Sequence, residues 1–395
     1  MKKNLLFVMN NLHCGGAEKA LISLLENIDY QRFSVDLLLF KKDGLFLRNV
    51  TKEVQILKEP SAFSFFDQPI TSALSKAFKY KQWKLIRSRL LAGMIFKTES
   101  NPAKCEQKVW KYLSRNIECL EKEYDVAIGY LEKNPTYFVI EKVKARKKIG
   151  YIHNDYLKLG MDPKIDTAFF QQLDYIVTVS EECAKVLQRV FPEQQKKIKV
   201  LYNIVSPPTI QKLANEKIKM LKAEKTLISI GRLTEQKGYD LALLACEQLV
   251  KKGLSIKWYV VGEGEKRKEL EQMIRDKQLQ KHFILLGLKE NPYPYMEAAD
   301  IFVQTSRFEG KSISIDEAKV LQKPILVTNF STVNDQIQHK ENGYIVEMNP
   351  NAICLGLEEL FENEELRTHL VSQLANQSIQ TEVEMNKFYQ LFEVG

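Results

Sequence analysis

The amino-acid sequence is short of the features that mark secreted, metal-binding and membrane-spanning proteins. Its six cysteines form no C-x-x-C pair and share no metal-ligand spacing with the five histidines. No apolar run approaches the roughly 20 residues of a spanning helix, and residues 1–3 lead into a strand pattern rather than the core of a signal peptide. We therefore expect a cytoplasmic protein with reduced, mostly buried thiols and no metal site.

A dinucleotide-binding fingerprint is also missing. The stretch MNNLHCGGAEKALISLL, residues 9–25, follows an apolar run and opens an amphipathic helix, but Gly15 and Gly16 are adjacent, so the G-x-G-x-x-G spacing is not met. Adjacent glycines before a helix leave peptide N–H groups open to an anion. They serve equally well as a tight connection between strand and helix, and both interpretations stay open.

Positive charge is concentrated in one region. The 395 residues carry a formal net charge of +8, yet residues 76–148 alone hold 18 Lys and Arg against 8 Asp and Glu. Within this region residues 78–97, FKYKQWKLIRSRLLAGMIFK, interleave aromatic and aliphatic side chains with cations. The pattern is typical of a helix on an anionic membrane surface, and equally of a helix packed on the core with a solvated basic face. Nucleic acid is not predicted as a partner, because no recognition motif accompanies the charge.

Short apolar runs alternate with helical stretches in both halves of the chain, which is the pattern of parallel sheets covered by helices on both faces. We predict strands at 5–9, 35–40, 126–130, 148–152, 175–179, 226–230, 258–261, 283–286, 301–304, 325–327 and 344–346. Pro207 and Pro208 interrupt regular structure between the halves. The prediction is an α/β protein with two doubly wound Rossmann-like domains, 1–205 and 206–375, facing across a cleft. A C-terminal helix at 376–395 is predicted to pack back towards the N-terminal domain.

Ligands of doubly wound sheets collect beyond the carboxyl ends of the strands, and the unusual residues of the second half lie there. Arg232 and Lys237 follow the strand at 226–230, in GRLTEQKG. A guanidinium and an ammonium five residues apart around a turn suit a diphosphate. The glycine-containing segments GEGE and GLKEN follow the next two predicted strands. We expect these loops to converge on one site.

Two glutamates follow the strand at 301–304, in SRFEGKSISIDEA. A helix is predicted to begin near Ser312, whose side chain suits an N-cap, so Glu309 lies in the loop and Glu317 on the second turn. A rise of 1.5 Å per residue separates them by about 12 Å. Carboxylates at that distance can bind hydroxyls at the two ends of an extended ligand, while the helix N-terminus between them faces phosphates.

With these motifs the chain resembles the retaining glycosyltransferases of family 4, also called group 1 glycosyltransferases, which have the GT-B fold. The resemblance rests on the opening glycine turn, YIHND, VTVSEE, GRLTEQKG, VVGEGEKRKELE and SRFEGKSISIDEA, and covers most of the chain. Its central element is the E-x7-E spacing preceded by the R-x4-K pair. It implies transfer of a hexosyl or N-acetylhexosaminyl group from a nucleotide sugar, with UDP expected as the nucleotide and no separate cofactor.

The resemblance also implies roles for individual residues. Arg232 and Lys237 would bind the donor diphosphate and stabilise its charge, and Glu309 would hold hydroxyls of the donor sugar. His153, at the end of the strand at 148–152, matches a catalytic position beside the reacting carbon, although a structural role is equally open for a lone histidine. Glu317 would hold the ribose, and segment 287–289 would flank the base. Backbone amides at Gly15 and Gly16 would reach the donor phosphate or the acceptor. Further donor contacts are implied for Gly231, Gly262, Gly287, Leu288, Lys289, Gly310, Lys311, Ser312 and Ile313.

In the family's mechanism the leaving phosphate takes the acceptor proton on the same face of the sugar, so no enzyme nucleophile is needed. No D-x-D occurs in this sequence, which agrees with metal-independent chemistry. Lys311 departs from the apolar or aromatic residue that many members carry after Glu-Gly. A cation there suits an acidic sugar or an acceptor pyrophosphate, and is equally explained as a solvated side chain.

The acceptor is least constrained by these motifs. The resemblance implies a saccharide, with a lipid-linked one expected, in capsule, exopolysaccharide or cell-wall glycan assembly. The basic segment 78–97 would then hold the enzyme peripherally at the inner face of the cell membrane. Two other functions are weighed: a nucleotide-sugar 2-epimerase, whose acid and base carboxylates the E-x7-E spacing does not suggest, and a non-enzymatic sugar-nucleotide sensor. No oligomeric state is predicted.

Overall fold

The computed structural model describes residues 2–13, 15–68, 83–220, 223–377 and 381–393. They form two compact units. Unit 1 comprises the described residues of 1–13, 17–202 and 384–395, and unit 2 comprises Gly15, Gly16 and the described residues of 203–383. The boundary predicted from the sequence lies at 205/206, and the chain leaves unit 1 after Tyr202.

The described part of unit 1 contains a sheet of seven parallel strands in the order β3-β2-β1-β4-β5-β6-β7. The strands are β1 (Lys3–Met9), β2 (Phe33–Leu39), β3 (Val54–Ile56), β4 (Tyr124–Gly129), β5 (Ala145–Ile152), β6 (Tyr175–Thr178) and β7 (Ile198–Val200). The sequence does not predict the edge strands β3 and β7. Each has three residues with an exposed polar residue in the middle, Gln55 or Lys199, so no apolar run marks it.

In unit 2 the described residues form a sheet of six parallel strands in the order β10-β9-β8-β11-β12-β13. The strands are β8 (Lys225–Ile230), β9 (Ile256–Val261), β10 (Phe283–Gly287), β11 (Ile301–Gln304), β12 (Ile325–Thr328) and β13 (Tyr344–Val346). Each corresponds to a predicted apolar run. The four central strands are buried on both faces and read as continuous apolar stretches, and the edge strands β10 and β13 are marked by the apolar runs FILL and YIV.

Helices connect the strands on both faces of each sheet. The described helices are α1 (Gly16–Glu26), α2 (Ser61–Asp67), α3 (Trp83–Thr98), α4 (Pro102–Leu113), α5 (Asn134–Lys142), α6 (Pro163–Phe170), α7 (Glu181–Val190), α8 (Pro207–Ala214), α9 (Tyr239–Lys251), α10 (Arg267–Asp276), α11 (Tyr293–Ala298), α12 (Ile313–Val320), α13 (Pro350–Glu362), α14 (Glu364–Asn376) and α15 (Thr381–Glu393). Asn101, Asp162 and Asn349 cap α4, α6 and α13 by accepting backbone N–H groups, and each precedes a proline at the first helical position.

The core of unit 2 lies on both sides of its sheet. Leu227 and Trp258 belong to a cluster on one face, whereas their chain neighbours Ile228 and Tyr259 belong to a cluster on the other. Successive residues of a strand point to opposite faces, so both faces of these strands are covered. This is the doubly wound arrangement predicted from the sequence.

The C-terminal helix α15 belongs to unit 1 from Glu384 onward. Phe388 is fully buried, and the ring of Tyr389 stacks on Phe33 with 5.2 Å between centroids. The Tyr389 hydroxyl also accepts a hydrogen bond from the Asp29 backbone N–H at 2.9 Å. Residues of α15 therefore complete the core of unit 1 beside β2.

None of the described helices combines the length and the apolar character that crossing a bilayer requires. The described cysteines are all free thiols; Cys105, Cys183, Cys246 and Cys354 are buried and Cys119 is exposed. The sixth, Cys14, lies outside the described residues.

Each sheet has one point where neighbouring strands are connected in opposite directions along the sheet. In unit 1 this switch point lies between β1 and β4, and in unit 2 it lies between β8 and β11. Loops that leave the carboxyl ends of the two strands diverge there and open a crevice, which is where open α/β sheets bind ligands. The loops after β8 and β11 carry Arg232, Lys237 and Glu309.

Candidate functional site

Backbone hydrogen bonds join the loops at the carboxyl edge of the unit 2 sheet. The Gly231 N–H donates to Val261 O at 3.0 Å, and the Gly262 N–H donates to Gly287 O at the same distance. The Arg307 N–H, after β11, donates to Gln236 O at 2.7 Å. The loops that follow β8, β9, β10 and β11 are therefore connected at this edge, as their position after parallel strands predicts.

Lys237 lies at the end of a short 3-10 turn, Glu235–Lys237, in the loop that follows β8. Gly238 ends the turn in the left-handed region, with a φ of 63°, and a Cβ there would lie 2.1 Å from Thr305 O. Only glycine fits both the dihedral and the space. The Thr305 hydroxyl donates to Lys237 O at 3.0 Å, so the loop after β11 holds the lysine backbone directly.

The Glu309 carboxylate is the central acceptor of the site. Its Oε1 accepts from Lys237 Nζ at 2.6 Å and from the Ser306 hydroxyl at 2.6 Å. Gln304 Nε2 lies 3.4 Å from the same oxygen, and Gln236 Nε2 lies 3.3 Å from Oε2. Because Glu309 is only 7% exposed, the lysine supplies the charge compensation that a buried carboxylate needs.

Arg232 contrasts with Lys237. Its side chain is exposed, and its guanidinium makes no hydrogen bond or ion pair with the described residues. The preceding backbone is closely packed, since a Cβ at Gly262 would lie 1.9 Å from Gly231 O. A well-held backbone therefore presents a cation whose donors are available to an anion.

Arg307 is a residue of this site that the sequence reading missed. Its guanidinium binds Asp240 bidentately, with distances of 2.9 and 2.7 Å, and donates to Glu235 O at 2.8 Å. It therefore ties the turn carrying Lys237 and the start of α9 to the loop carrying Glu309. The sequence does place Arg307 two residues before Glu309, which could have suggested a role in the site. Its partner Asp240 is 67 positions away in the chain, so the sequence does not show which carboxylate it binds.

Glu317 lies on the second turn of α12, as predicted, and is 2% exposed. The Tyr293 hydroxyl donates to its Oε1 at 3.0 Å. Ser312 occupies the N-cap position but makes no capping hydrogen bond; its hydroxyl donates instead to Gln304 Oε1 at 2.7 Å. Glu309 and Glu317, the two ends of the E-x7-E motif, are thus held by separate partners. Gln304 contacts both Glu309 and Ser312.

Lys311 is largely buried and forms an ion pair. Its Nζ lies 2.7 Å from Asp316 Oδ2, and both side chains are 10% exposed. The interpretation of Lys311 as a solvated side chain is therefore wrong. The pairing also removes the net positive charge on which an acidic donor sugar would depend, so an acidic donor gains no support from this residue.

The predicted base-flanking segment, 287–289, begins at the last residue of β10. Gly287 has a φ of 73°, Leu288 is 43% exposed and Lys289 Nζ lies 5.7 Å from the centroid of the Tyr295 ring. Ile313, the first residue of α12, is buried. The donor contacts assigned by resemblance to these residues, and to Gly231, Gly262 and Gly310, stay predictions.

His153 belongs to unit 1 and follows β5 directly. Its Nε2 lies 3.1 Å from Tyr130 O. A carbonyl only accepts, so Nε2 carries the proton and Nδ1 presents its lone pair. This Nδ1 is buried and has no hydrogen-bond partner among the described residues. Burial lowers the pKa of His153 to about 4, so the ring is neutral at pH 7.

Gly15 and Gly16, which precede α1, group with unit 2. A Cβ added at Gly16 would meet no heavy atom closer than 3.9 Å. Protein packing therefore leaves room for a side chain at Gly16, and the predicted approach of a ligand to the bare backbone stays a prediction. Within the described part of the chain no group of three or more His, Cys, Asp and Glu side chains is placed to hold a metal ion.

Residues 211–377 match the family model described as glycosyl transferases group 1. Unit 2 belongs to the group 1 glycosyl transferases. Arg232, Lys237, Glu309 and Glu317 all lie within the matched residues.

Two curated relatives match a larger part of the chain. An N-acetylgalactosamine-N,N'-diacetylbacillosaminyl-diphospho-undecaprenol 4-alpha-N-acetylgalactosaminyltransferase of Campylobacter jejuni is 28% identical over 236 residues, 59% of this chain and 63% of that protein. A poly(ribitol-phosphate) alpha-N-acetylglucosaminyltransferase of Staphylococcus aureus is 27% identical over 260 residues, 63% of this chain and 51% of that protein. The matches therefore span less than two thirds of either relative.

The fold has a solved counterpart across nearly the whole chain. The crystal structure of Anabaena HepE in complex with UDP-glucose superposes with a TM-score of 0.68 at 16% identity, covering 98% of each chain. At this identity the likeness concerns the fold alone. The GT-B fold class predicted from the sequence is confirmed.

We expect His153 to remain neutral down to about pH 4, since burial disfavours the imidazolium. Histidine-detected NMR of the folded protein, with His153→Gln to identify the resonance, measures its midpoint. In urea the pKa of the same ring should lie near its ordinary value of 6.5.

This difference in pKa makes the stability of the fold depend on pH. Between pH 6.5 and 4 the unfolded chain takes up a proton at His153 that the folded protein does not. The contribution of His153 to the free energy of unfolding is full above pH 6.5 and is lost as the pH falls towards 4. A folded-state midpoint above 6 would contradict this.

Proposed function

We propose that the protein is a retaining glycosyltransferase that moves a hexosyl or N-acetylhexosaminyl group from a UDP-sugar to a saccharide acceptor. The observation that carries the proposal is the group of Arg232, Lys237 and Glu309 at the carboxyl edge of a group 1 glycosyl transferase unit. An available guanidinium on the same loop as the lysine of a lysine–carboxylate pair supplies binding groups for both a diphosphate and sugar hydroxyls. The UDP-glucose bound by HepE, which shares the fold, supports UDP as the nucleotide.

In the proposed reaction the bond between the anomeric carbon and the diphosphate oxygen breaks. A bond from an acceptor oxygen to the same face of that carbon forms, and the acceptor proton passes to the departing diphosphate. Arg232 and Lys237 stabilise the charge that develops on that leaving group. Glu309 accepts hydrogen bonds from donor-sugar hydroxyls, and Glu317 from the ribose. The two cationic side chains perform this charge stabilisation without a metal ion, and no carboxylate acts as the nucleophile.

For the acceptor we propose a lipid-linked saccharide in the assembly of a capsule, exopolysaccharide or cell-wall glycan. The Campylobacter jejuni relative is named for a diphospho-undecaprenol-linked acceptor, and the Staphylococcus aureus relative for poly(ribitol-phosphate). The first name describes a saccharide on diphospho-undecaprenol and supports a lipid-linked acceptor, and the second describes a phosphate-containing polymer and supports a surface-polymer pathway.

The enzyme also carries a candidate surface for such a carrier. On α3 the side chains of Trp83, Leu90 and Met94 are 62%, 50% and 57% exposed, although they are apolar. Their spacing of seven and four residues places them on one helix face, with exposed Arg87 and Lys97 beside them. The opposite side of α3 buries Ile86, Arg89 and Ala92. Residues 78–82 of the predicted basic segment lie outside the described residues.

An apolar ridge flanked by cations fits the surface of an anionic bilayer. We propose that α3 holds the enzyme peripherally at the inner face of the cell membrane. The excess of Lys and Arg in residues 76–148 adds a longer-range attraction to anionic lipid.

The proposed activity is tested by incubating the full chain with UDP-glucose, UDP-galactose and their N-acetylhexosamine counterparts, together with a lipid-linked saccharide extract. Release of UDP with a lengthened glycan is the expected result. NMR of the product should show the anomeric configuration of the donor, and a chelator should leave the rate unchanged. An isomerised donor would instead identify an epimerase, and binding without turnover would identify a sensor.

Replacing Arg232 with Ala should lower kcat by roughly 100-fold with little change in KM, because a donor that acts on developing charge contributes mainly in the transition state. Because the Arg232 side chain is exposed and unpaired, Arg232→Ala should leave the melting temperature unchanged.

Lys237→Ala should lower kcat similarly and also destabilise the fold, since it leaves the buried Glu309 without its cation. Lys268→Ala, which removes an exposed cation from α10, is the matched control. An Arg232→Ala enzyme with wild-type kcat and a raised KM would contradict the assigned role.

Membrane docking is tested by co-sedimentation with vesicles of phosphatidylcholine alone and of phosphatidylcholine mixed with phosphatidylglycerol. Wild type should pellet with the anionic vesicles, and the triple variant Trp83→Ser, Leu90→Ser, Met94→Ser should stay in the supernatant. Leu355→Ser removes an equally exposed leucine, 52% exposed, from unit 2 and should pellet like wild type. Unimpaired pelleting of the triple variant would refute docking through α3.

A further inference from the structure

Side chains from the loop after β12 hold the main chain of the loop after β11, the neighbouring strand of the unit 2 sheet. The Thr332 hydroxyl donates to Glu309 O at 3.0 Å. Further along the same loop, Gln336 contacts Ser312, the residue that precedes α12. Gln336 is 5% exposed and Ser312 is 3% exposed, so water competes little for these bonds. The segment between the two glutamates of the E-x7-E motif is therefore fixed from outside its own loop.

The Gln336 side chain binds both main-chain groups of Ser312. Its Oε1 accepts from the Ser312 N–H at 2.8 Å, and its Nε2 donates to Ser312 O, also at 2.8 Å. Nε2 donates in addition to Asp316 Oδ1 at 2.9 Å. Both N–H donors of the amide are used, and only one orientation of the amide places them on acceptors. The main chain of Ser312 is thus held in one position where the helix begins.

The same arrangement occurs at the start of α6 in unit 1. Gln107 Oε1 accepts from the Asp162 N–H at 2.7 Å, and its Nε2 donates to Asp162 O at 3.2 Å and to Asp166 Oδ2 at 2.9 Å. As in α12, the carboxylate lies four residues after the N-cap residue. The N-cap dihedrals also agree, with φ −94° and ψ 109° at Asp162 and φ −81° and ψ 112° at Ser312. A glutamine therefore holds both N-cap residues in the same way.

The two helix starts differ in what the N-cap side chain does. Asp162 caps α6, because its Oδ1 accepts from the Lys164 N–H at 3.0 Å. The backbone conformation of Ser312 permits the same bond, but its hydroxyl donates to Gln304 Oε1 at 2.7 Å and makes no capping hydrogen bond. A serine at this position ordinarily satisfies one of the N–H groups that a helix start leaves without a partner. The first turn of α12 is therefore fixed in place but has no side-chain cap.

We propose that Gln336 and Gln304 are positioning residues of the donor site. Gln336 fixes the main chain of Ser312, and Gln304 turns the Ser312 hydroxyl away from α12. The first-turn N–H groups then stay available to the donor diphosphate, which a helix N-terminus attracts. Both glutamines act through Ser312 and do not touch the substrate. The diphosphate rests on the proposed function, whereas the diversion of the hydroxyl does not.

The role of Gln336 is tested by calorimetric titration of the full chain with UDP, without acceptor and well below the melting temperature of each variant. Gln336→Leu should raise the Kd of UDP roughly tenfold, the order of a helix-terminus interaction with an anion. Gln107→Leu removes the same three hydrogen bonds from α6 and is the matched control. It should lower the melting temperature comparably and leave the Kd unchanged. A Gln336→Leu protein that melts earlier but binds UDP as wild type does would overturn the inference. Should Gln336→Leu not fold, Gln336→Glu keeps the acceptor, loses both donors and is compared with Gln107→Glu.

The role of Gln304 is tested by releasing the Ser312 hydroxyl. In Gln304→Leu this hydroxyl can turn and cap α12, so the Kd of UDP should rise several-fold. UDP carries no sugar, so the lost contact between Gln304 and Glu309 does not enter this measurement. Adding Ser312→Ala removes the capping hydroxyl and should recover most of the affinity, although the double variant has one polar group fewer. Wild-type affinity in Gln304→Leu, or a double variant that binds no more tightly than the single one, would refute the diversion.

Amide hydrogen exchange separates this inference from the proposed function. A serine cap binds the N–H of the second or third helical residue, here Ser314 or Ile315. NMR should show that one of these N–H groups exchanges more slowly in Gln304→Leu than in wild type, and that Ser312→Ala restores the faster exchange. If wild type does not bind UDP, the proposed UDP-dependent function fails, and slower exchange in Gln304→Leu still supports the diversion of the hydroxyl. Equal exchange in the two proteins refutes it whether or not UDP binds.

Discussion

Parallel pairing of the strands is the constraint on which the rest of this structure depends. Every strand pair described in both sheets is parallel, so within each sheet the carboxyl ends lie at one edge. Residues separated by long stretches of sequence, such as Lys237 and Glu309, then become neighbours without any local signal. Unit 2 gathers its cationic groups at its own switch point in this way.

Lys237 and Glu309 are each held by partners that have no direct part in the proposed chemistry. Thr305 binds the backbone of the lysine, Ser306 binds the carboxylate, and Arg307 ties both loops to the start of α9. The pair is therefore preorganised, and little side-chain freedom remains to be lost when a ligand binds. Arg232 is different, because its exposed side chain has yet to be ordered by a partner.

Much of this arrangement is visible in the sequence, because a strand buried on both faces leaves a continuous apolar run and the residues after it must lie at the carboxyl edge. The reasoning fails where a polar residue interrupts a short edge strand: Gln55 in β3 and Lys199 in β7 leave no apolar run. The reasoning also fails where the counter-ion of a charged side chain cannot be recognised from the neighbouring sequence. The buried Asp316 beside Lys311 and the distant Asp240 beside Arg307 have no marker in the local pattern, so a paired cation and a solvated one look alike.

The last helix belongs partly to unit 1, whereas residues 203–383 belong to unit 2. Most of unit 2 is thus inserted between two segments of unit 1, with crossings between Tyr202 and Asn203 and between Val383 and Glu384. A recombination event that exchanges the glycosyl transferase unit for a homologous one requires two breakpoints rather than one. A single crossover near Asn203 would also replace Phe388 and Tyr389. The Phe33 side chain of β2 would then pack against a helix of different sequence. Exchange of unit 2 alone would therefore have to leave the C-terminal residues of this chain in place.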